Sequence, residues 1–149
     1  MKTAQAWFAE YSVSHQHHIN TAIHTICVPA IMWSTMALLW GVKLGGAPWL
    51  NVATIVATLA AGYYVALSRP LGLGMGVVLL GMGGLCAWLE AQAPAPLWGI
   101  GLAVFAIAWV GQFIGHHIEG KRPSFLQDLQ FLLIGPLWVL AKVVGRPAG

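Results

Sequence analysis

Four apolar stretches, near residues 23–42, 50–67, 71–89 and 97–114, leave this chain few folds to choose from. Each is long enough to cross roughly 30 Å of hydrocarbon at about 1.5 Å per helical residue when it stands nearly upright. The breaks between them carry turn chemistry: GGAP around Pro48, SRP at 68–70 and AQAPAP at 91–96. With 58% hydrophobic and only 7% charged residues, the composition is not that of a soluble domain. The expected fold is all-α, a polytopic membrane helix bundle of four spans plus a fifth C-terminal helix, in a single integral-membrane domain over 1–149.

The two ends need separate treatment. Residues 1–22 mix polar and aromatic side chains without an apolar core, so they do not read as a secretory signal. They predict an interfacial segment, with Trp7, Phe8 and Tyr11 at the bilayer surface and Glu10 facing water. The last helix, near 125–144, opens on Gln127, Asp128 and Gln130 and carries Pro136 in its middle. It is spanning, re-entrant or interfacial, and its short apolar part favours a helix that does not fully cross. Gly41 with Gly45, Gly72 with Gly76 and Gly111 with Gly115 are small-xxx-small pairs, which predict close helix packing.

The charges are few and sit at segment ends, a pattern that fits membrane topology and argues against nucleic-acid binding. With the N-terminus cytoplasmic, Lys2, Arg69, Lys121 and Arg122 all lie inside, and among the first four spans only Lys43 is outside. Lys142 and Arg146 are also inside if the last helix does not cross. This orientation starts the first span and ends the fourth on one face, which brings His24 and His116 to similar depth. Cys27 and Cys86 lie in apolar runs without CxxC spacing and read as small hydrophobes.

Polar chemistry gathers in two places. The stretch QFIGHHIEGKRPS at 112–124 ends the fourth span, and HQHHINTAIHTICVPAI at 15–31 opens the first. Gln112, His116 and Glu119 fall at i, i+4 and i+7 and share a helix face, whereas His117 is turned about 100° away. All six histidines lie near these two ends, and ionisable groups at a membrane boundary point to function. Two N-terminal imidazoles plus His116 make a three-nitrogen metal site, with Glu119 as a fourth ligand or a partner behind the ligands.

Periodicity leaves two choices of N-terminal ligand open. In one continuous helix His17, Asn20 and His24 share a face; if the helix begins around His18 to Asn20, His15 sits in the preceding loop and swings back over the site. Blander readings stand beside these: a His116–Glu119 hydrogen bond at headgroup level, Asn20 as an N-cap, and His17 and His18 as solvated histidines. Pro29 deprives the Thr25 carbonyl of its usual donor and predicts a bend just beyond His24.

The pattern SHxxxxNxxxHxxxVP at 14–29, followed by WxxQFIGHxxEGKRPSF at 109–125, resembles the small membrane 2-hydroxy-fatty-acid dioxygenases, over nearly the whole chain. The resemblance implies an iron(II)- and O2-dependent enzyme that shortens a 2-hydroxy fatty acid by one carbon. Carried over by motif, it implies His15, His24, His116 and Glu119 as metal ligands, favouring His15 over His17, with Asn20 and Gln112 beside the substrate. Lys121 or Arg122, at headgroup level, is then a candidate partner for the substrate carboxylate, against a plainer role in topology and lipid phosphate contact. The expected setting is a bacterial cytoplasmic membrane, or the endoplasmic reticulum in a eukaryote, with the site on the cytoplasmic side, membrane lipid around it and the oligomeric state open. The rivals are a b-type haem carrier, a zinc-dependent hydrolase, for which no HExxH is present, and a non-catalytic scaffold.

Overall fold

A computed structural model describes residues 2–120 and 125–145, with side chains for all of these except 125–130. Among the described residues six helices follow one another: α1 (Ala4–Ser12), α2 (His18–Trp40), α3 (Val52–Leu67), α4 (Arg69–Gln92), α5 (Leu97–Glu119) and α6 (Phe125–Val143). Among the described residues the only β pairing is an isolated bridge between Lys43 and Asn51. An all-helical chain is the expected outcome in hydrocarbon, where each backbone N–H and C=O must be satisfied within its own segment.

Three helices, α2, α4 and α5, are long and apolar enough to cross a membrane, at 23, 24 and 23 residues. The second expected span is shorter than a typical crossing. Asn51 caps α3 with a reciprocal box, its side chain accepting from Thr54 N–H while the Thr54 hydroxyl accepts from Asn51 N–H, so the helix starts only at Val52. The extended Ser68 stops it, and Pro70 belongs to the first turn of α4. Sixteen residues reach about 24 Å. The apolar part of α6, Phe131–Val143, is likewise below spanning length.

The first long helix begins at His18, ahead of the expected residue 23. The His17 ring accepts from Ile19 N–H at 3.3 Å and the His17 carbonyl from Thr21 N–H at 3.0 Å, so His17 opens the helix and Asn20 is already inside it. The N-cap reading of Asn20 is therefore replaced. The helix continues through Pro29.

The chain divides into two compact units, one of Met1–Pro29 with Ile107–Gly149 and one of Ala30–Ala106, with α2 and α5 shared between them. In the second unit α3 and α4 pack so closely at Gly72 that a Cβ there would overlap the backbone of Tyr64 and Val65. Gly101 on α5 lies close to Ala37 and Ser34 on α2, where a Cβ would make tight contacts at 3.0 and 3.3 Å, and Trp40 Nε1–H and the Lys43 ammonium both donate to Glu90. Gly41, Gly45 and Gly76 touch nothing that a Cβ would meet, so the paired-glycine expectation fails for them; Gly45 instead takes a positive φ of 86° in the loop after α2.

In the first unit α1 packs against α6. Phe8 and Tyr11, expected at the bilayer surface, are buried within the protein. Tyr11 meets Phe131 edge-on and Trp138 at a tilt, and Trp138 Nε1–H donates to the Ser12 hydroxyl. Glu10 is exposed and pairs with Lys2. The residues that carry the polar chemistry all belong to this unit.

Candidate metal centre

After α1 the chain makes two further turns, with Ser14 N–H bonded to the Tyr11 carbonyl and His15 N–H to the Ser12 carbonyl. This delivers His15 back over the start of α2. Its ring stacks flat on Tyr11, 4.1 Å between centroids and 5° between planes, with the Trp138 ring at 5.8 Å. His15 Nδ1 donates to the Tyr11 carbonyl at 2.7 Å; a carbonyl can only accept, so the proton is on Nδ1 and Nε2 carries the lone pair.

His24 repeats the arrangement one and a half turns into α2. Its Nδ1 donates to the Asn20 carbonyl at 2.9 Å, which again leaves Nε2 as the basic nitrogen. A ring N–H fixed by a backbone carbonyl is the usual support behind a metal-binding histidine. His116 reaches the same place from α5, with ring centroids 5.0 Å from His24 and 5.7 Å from His15. The three rings stand at 67° to 87° to one another, and one ligand atom from each lies within 4.8 Å of the others.

This set fits a divalent transition metal. Metal–nitrogen bonds of about 2.1 Å place neighbouring donors roughly 3–3.4 Å apart, a modest contraction from the observed spread. His15 Nε2 is buried and has no hydrogen-bond partner among the described residues, a condition that costs about 1–3 kcal/mol and that a central cation would relieve. Burial, outweighing the hydrogen bond to Tyr11, pushes the His15 imidazole down to about 4, with His116 adding to the effect. The ring is therefore neutral and able to ligate at physiological pH.

Glu119 stands elsewhere. Its Oε1 accepts from Gln16 N–H at 3.0 Å, and its Oε2 accepts from His17 N–H at 2.9 Å and from Asn20 Nδ2 at 3.0 Å. The bland His116–Glu119 pairing is thus displaced by a contact to the loop that holds His15. Asn20 is fully buried and also donates to the Ser14 carbonyl. Gln112 is buried on the same face of α5 as His116, and its side chain neighbours the His24 ring. His17 and His18 stack on each other away from the trio, and His117 is exposed, as its turn around the helix predicted. Lys121 and Arg122 lie outside the described residues.

Close approach of α2 and α5 makes this possible. A Cβ on Gly111 would come within 2.6 Å of Cys27 Sγ, and one on Gly115 would overlap Asn20 Oδ1. The glycine pair foreseen as packing does pack, directly beneath the histidines. Sequence reasoning missed Tyr11, Trp138 and Lys142 as neighbours of the site. Tyr11 gave a signal in its i−4 spacing from His15; Trp138 and Lys142 gave none.

Fold and site together define an all-helical membrane protein with a three-histidine centre able to hold a metal, two of its rings buried and the third half-buried. The chain belongs to the Mpo1-like family: the family described as "2-hydroxy-palmitic acid dioxygenase Mpo1-like" matches residues 1–147. It is similar to the 2-hydroxy-palmitic acid dioxygenase MPO1 of Saccharomyces cerevisiae, at 30% identity over 132 residues that cover 87% of this chain and 73% of the yeast protein. No solved structure matches it.

Proposed function

We propose that this protein is an iron(II)- and O2-dependent dioxygenase that shortens 2-hydroxy fatty acids by one carbon. The observation that carries this reading is the donor set: three imidazoles, two with their protonated nitrogens turned to backbone carbonyls, meet with one ligand atom from each within 4.8 Å of the others. His15, His24 and His116 hold the metal, and family membership supplies the substrate class. Three neutral imidazoles leave the charge of a divalent ion uncompensated, so an anionic chelating ligand such as a 2-hydroxy carboxylate complements these donors. Iron(II), when bound, supplies the one-electron chemistry that lets ground-state O2 react with an organic acid.

The reaction balances with one O2 and no added reductant. A 2-hydroxy acid and O2 give the acid one carbon shorter, carbon dioxide and water: the bond between the first two carbons breaks, and the four electrons removed from them reduce O2. The chain's own contribution is binding and orientation. The buried amide of Gln112, beside His24, is placed to hydrogen-bond the substrate hydroxyl, and Asn20 Oδ1, buried and without a hydrogen-bond partner among the described residues, is a second acceptor at the site. Lys142 acts electrostatically on His15, lies 4.6 Å over the Trp138 ring and has no carboxylate partner among the described residues. It is assigned to the substrate carboxylate, a role that Lys121 and Arg122 share if they stand at the same face. The acyl chain lies in the hydrocarbon layer, and the site opens to the cytoplasmic face.

The test is oxygen uptake by detergent-solubilised protein loaded anaerobically with iron(II), comparing 2-hydroxypalmitate with palmitate. Uptake that requires the hydroxyl, with pentadecanoate as product, is expected. Uptake with neither acid by protein that holds iron would sink the assignment. A zinc- or haem-dependent reading would then be judged by metal analysis and the visible spectrum.

A further inference from the structure

His15 is the one histidine of the trio that no helix holds. Residues 15–17 lie between the turn after α1 and the start of α2, so the position of His15 depends on whatever fixes that loop. The fixing group comes from about a hundred residues away. Both carboxylate oxygens of Glu119 are engaged by the loop and by the first turn of α2: Gln16 N–H, His17 N–H and Asn20 Nδ2, all at 2.9–3.0 Å. Asn20 Nδ2 also reaches the Ser14 carbonyl at 3.2 Å, and the Thr21 hydroxyl donates to the carbonyl of His15 itself at 3.0 Å.

The sequence positions give this network its meaning. Glu119 is three residues beyond His116, one turn along the same face of α5, and Asn20 is four residues before His24 on α2. Each of the two helices therefore carries one ligand and one residue that grips the loop of the third. Asn20 serves twice, since its carbonyl also fixes the His24 ring. A carboxylate at the C-terminal end of α5 opposes that helix's dipole, but it sits against the free N–H groups at the start of α2, where negative charge is favourable. Three charge-assisted hydrogen bonds leave little of the carboxylate for a metal.

We propose that Glu119 is a positioning residue, a latch that clamps the Ser14–His17 loop to α5 and α2 so that His15 Nε2 is already aimed at the centre before a metal arrives. Its importance for the reaction rests on the metal reading above, but the latch itself belongs to the metal-free fold. It assigns Glu119 a task different from that of a fourth ligand, and it makes the Asn20 side-chain amide a structural partner.

The test uses the full chain in detergent and cobalt(II) as the probe. Glu119→Gln keeps the size of the side chain but loses its charge and turns one acceptor into a donor facing an N–H. It is expected to weaken cobalt(II) binding about 10–100-fold, the range for lost support behind a ligand. At saturation the visible bands should stay where they are in the wild type, and Glu119→Gln added to His15→Gln should weaken binding no further. Shifted bands at saturation, additive losses, or unchanged affinity would each overturn the latch, the first by showing Glu119 to be a ligand. Hydrogen exchange on metal-free wild type guards against a variant that fails to fold: the Gln16 and His17 amides should be protected, and exchange as fast as in an unstructured peptide would overturn the proposal. Wild-type protein that takes up no cobalt(II) would refute the metal reading, while amide exchange would still decide the latch.

Discussion

Gly115 lies directly against Asn20: a methyl group on this glycine would overlap Asn20 Oδ1 and stand 3.5 Å from His24 Cε1. The hydrogen atom at this position lets α5 come close enough to α2 for imidazoles from both helices to meet. Gly115→Ala should push the helices apart or turn Asn20 out, at about 1–3 kcal/mol for an overpacked contact. The expected readout is a lower thermal midpoint with weakened cobalt(II) binding. Gly76→Ala, where a Cβ meets nothing, should change neither. Equal behaviour of the two variants would contradict the packing described.

Removing any one histidine of the trio should abolish tight metal binding. His24 is 2% exposed and cannot be replaced by solvent without a cavity, so His24→Ala is expected to bring metal content after iron(II) loading from near one per chain to background. His15→Ala and His116→Ala should behave alike. His117→Ala, at an exposed position, should retain metal and activity. Metal analysis of purified variants decides the matter.

Acid should destabilise the metal-free fold through His15. Burial depresses its folded pKa to about 4 from the ordinary 6.5, so between these limits the unfolded chain binds a proton that the folded chain refuses. Stability from this group is complete above about pH 6.5, falls as the pH drops towards 4, and levels off below. Thermal midpoints of metal-free protein measured from pH 7.5 to 4 should fall along that course, and His15→Gln should make the fall shallower.

Lys142→Gln should raise KM for a 2-hydroxy fatty acid roughly 3–10-fold at unchanged kcat, the pattern of a lost carboxylate contact outside the reacting atoms. Lys142→Arg keeps the charge and should stay near wild type. A Gln variant with normal KM and lowered kcat would remove Lys142 from substrate binding.

Much of this protein is legible in the order of its residues. Long apolar runs broken by proline and glycine determine helices, because hydrocarbon offers the backbone no other partner. The i, i+4, i+7 spacing puts Gln112, His116 and Glu119 on one face, and it leaves His117 out of it. Motifs at both ends of the chain point to the family that the comparison then finds. Where helices stop was less legible: the capping box at Asn51 trims α3 below a full span, and the His17 ring starts α2 early, both through hydrogen bonds that hydropathy does not register.

Tertiary structure alone decided which groups meet. Periodicity left His15 and His17 as alternatives, because a loop has no fixed phase; in the structure the His15 ring lies beside His24 and His116, and the carboxylate of Glu119, about a hundred residues on, accepts from the Gln16 and His17 amides. The same contact engages both carboxylate oxygens of Glu119 at the loop. Phe8 and Tyr11 look interfacial in a short amphipathic segment, and only the packing of α6 over α1 turns them into the wall behind His15. Sequence determines which segments are helical because the causes are local, whereas the ligand set depends on side chains far apart in the chain, and the fold had to bring them together.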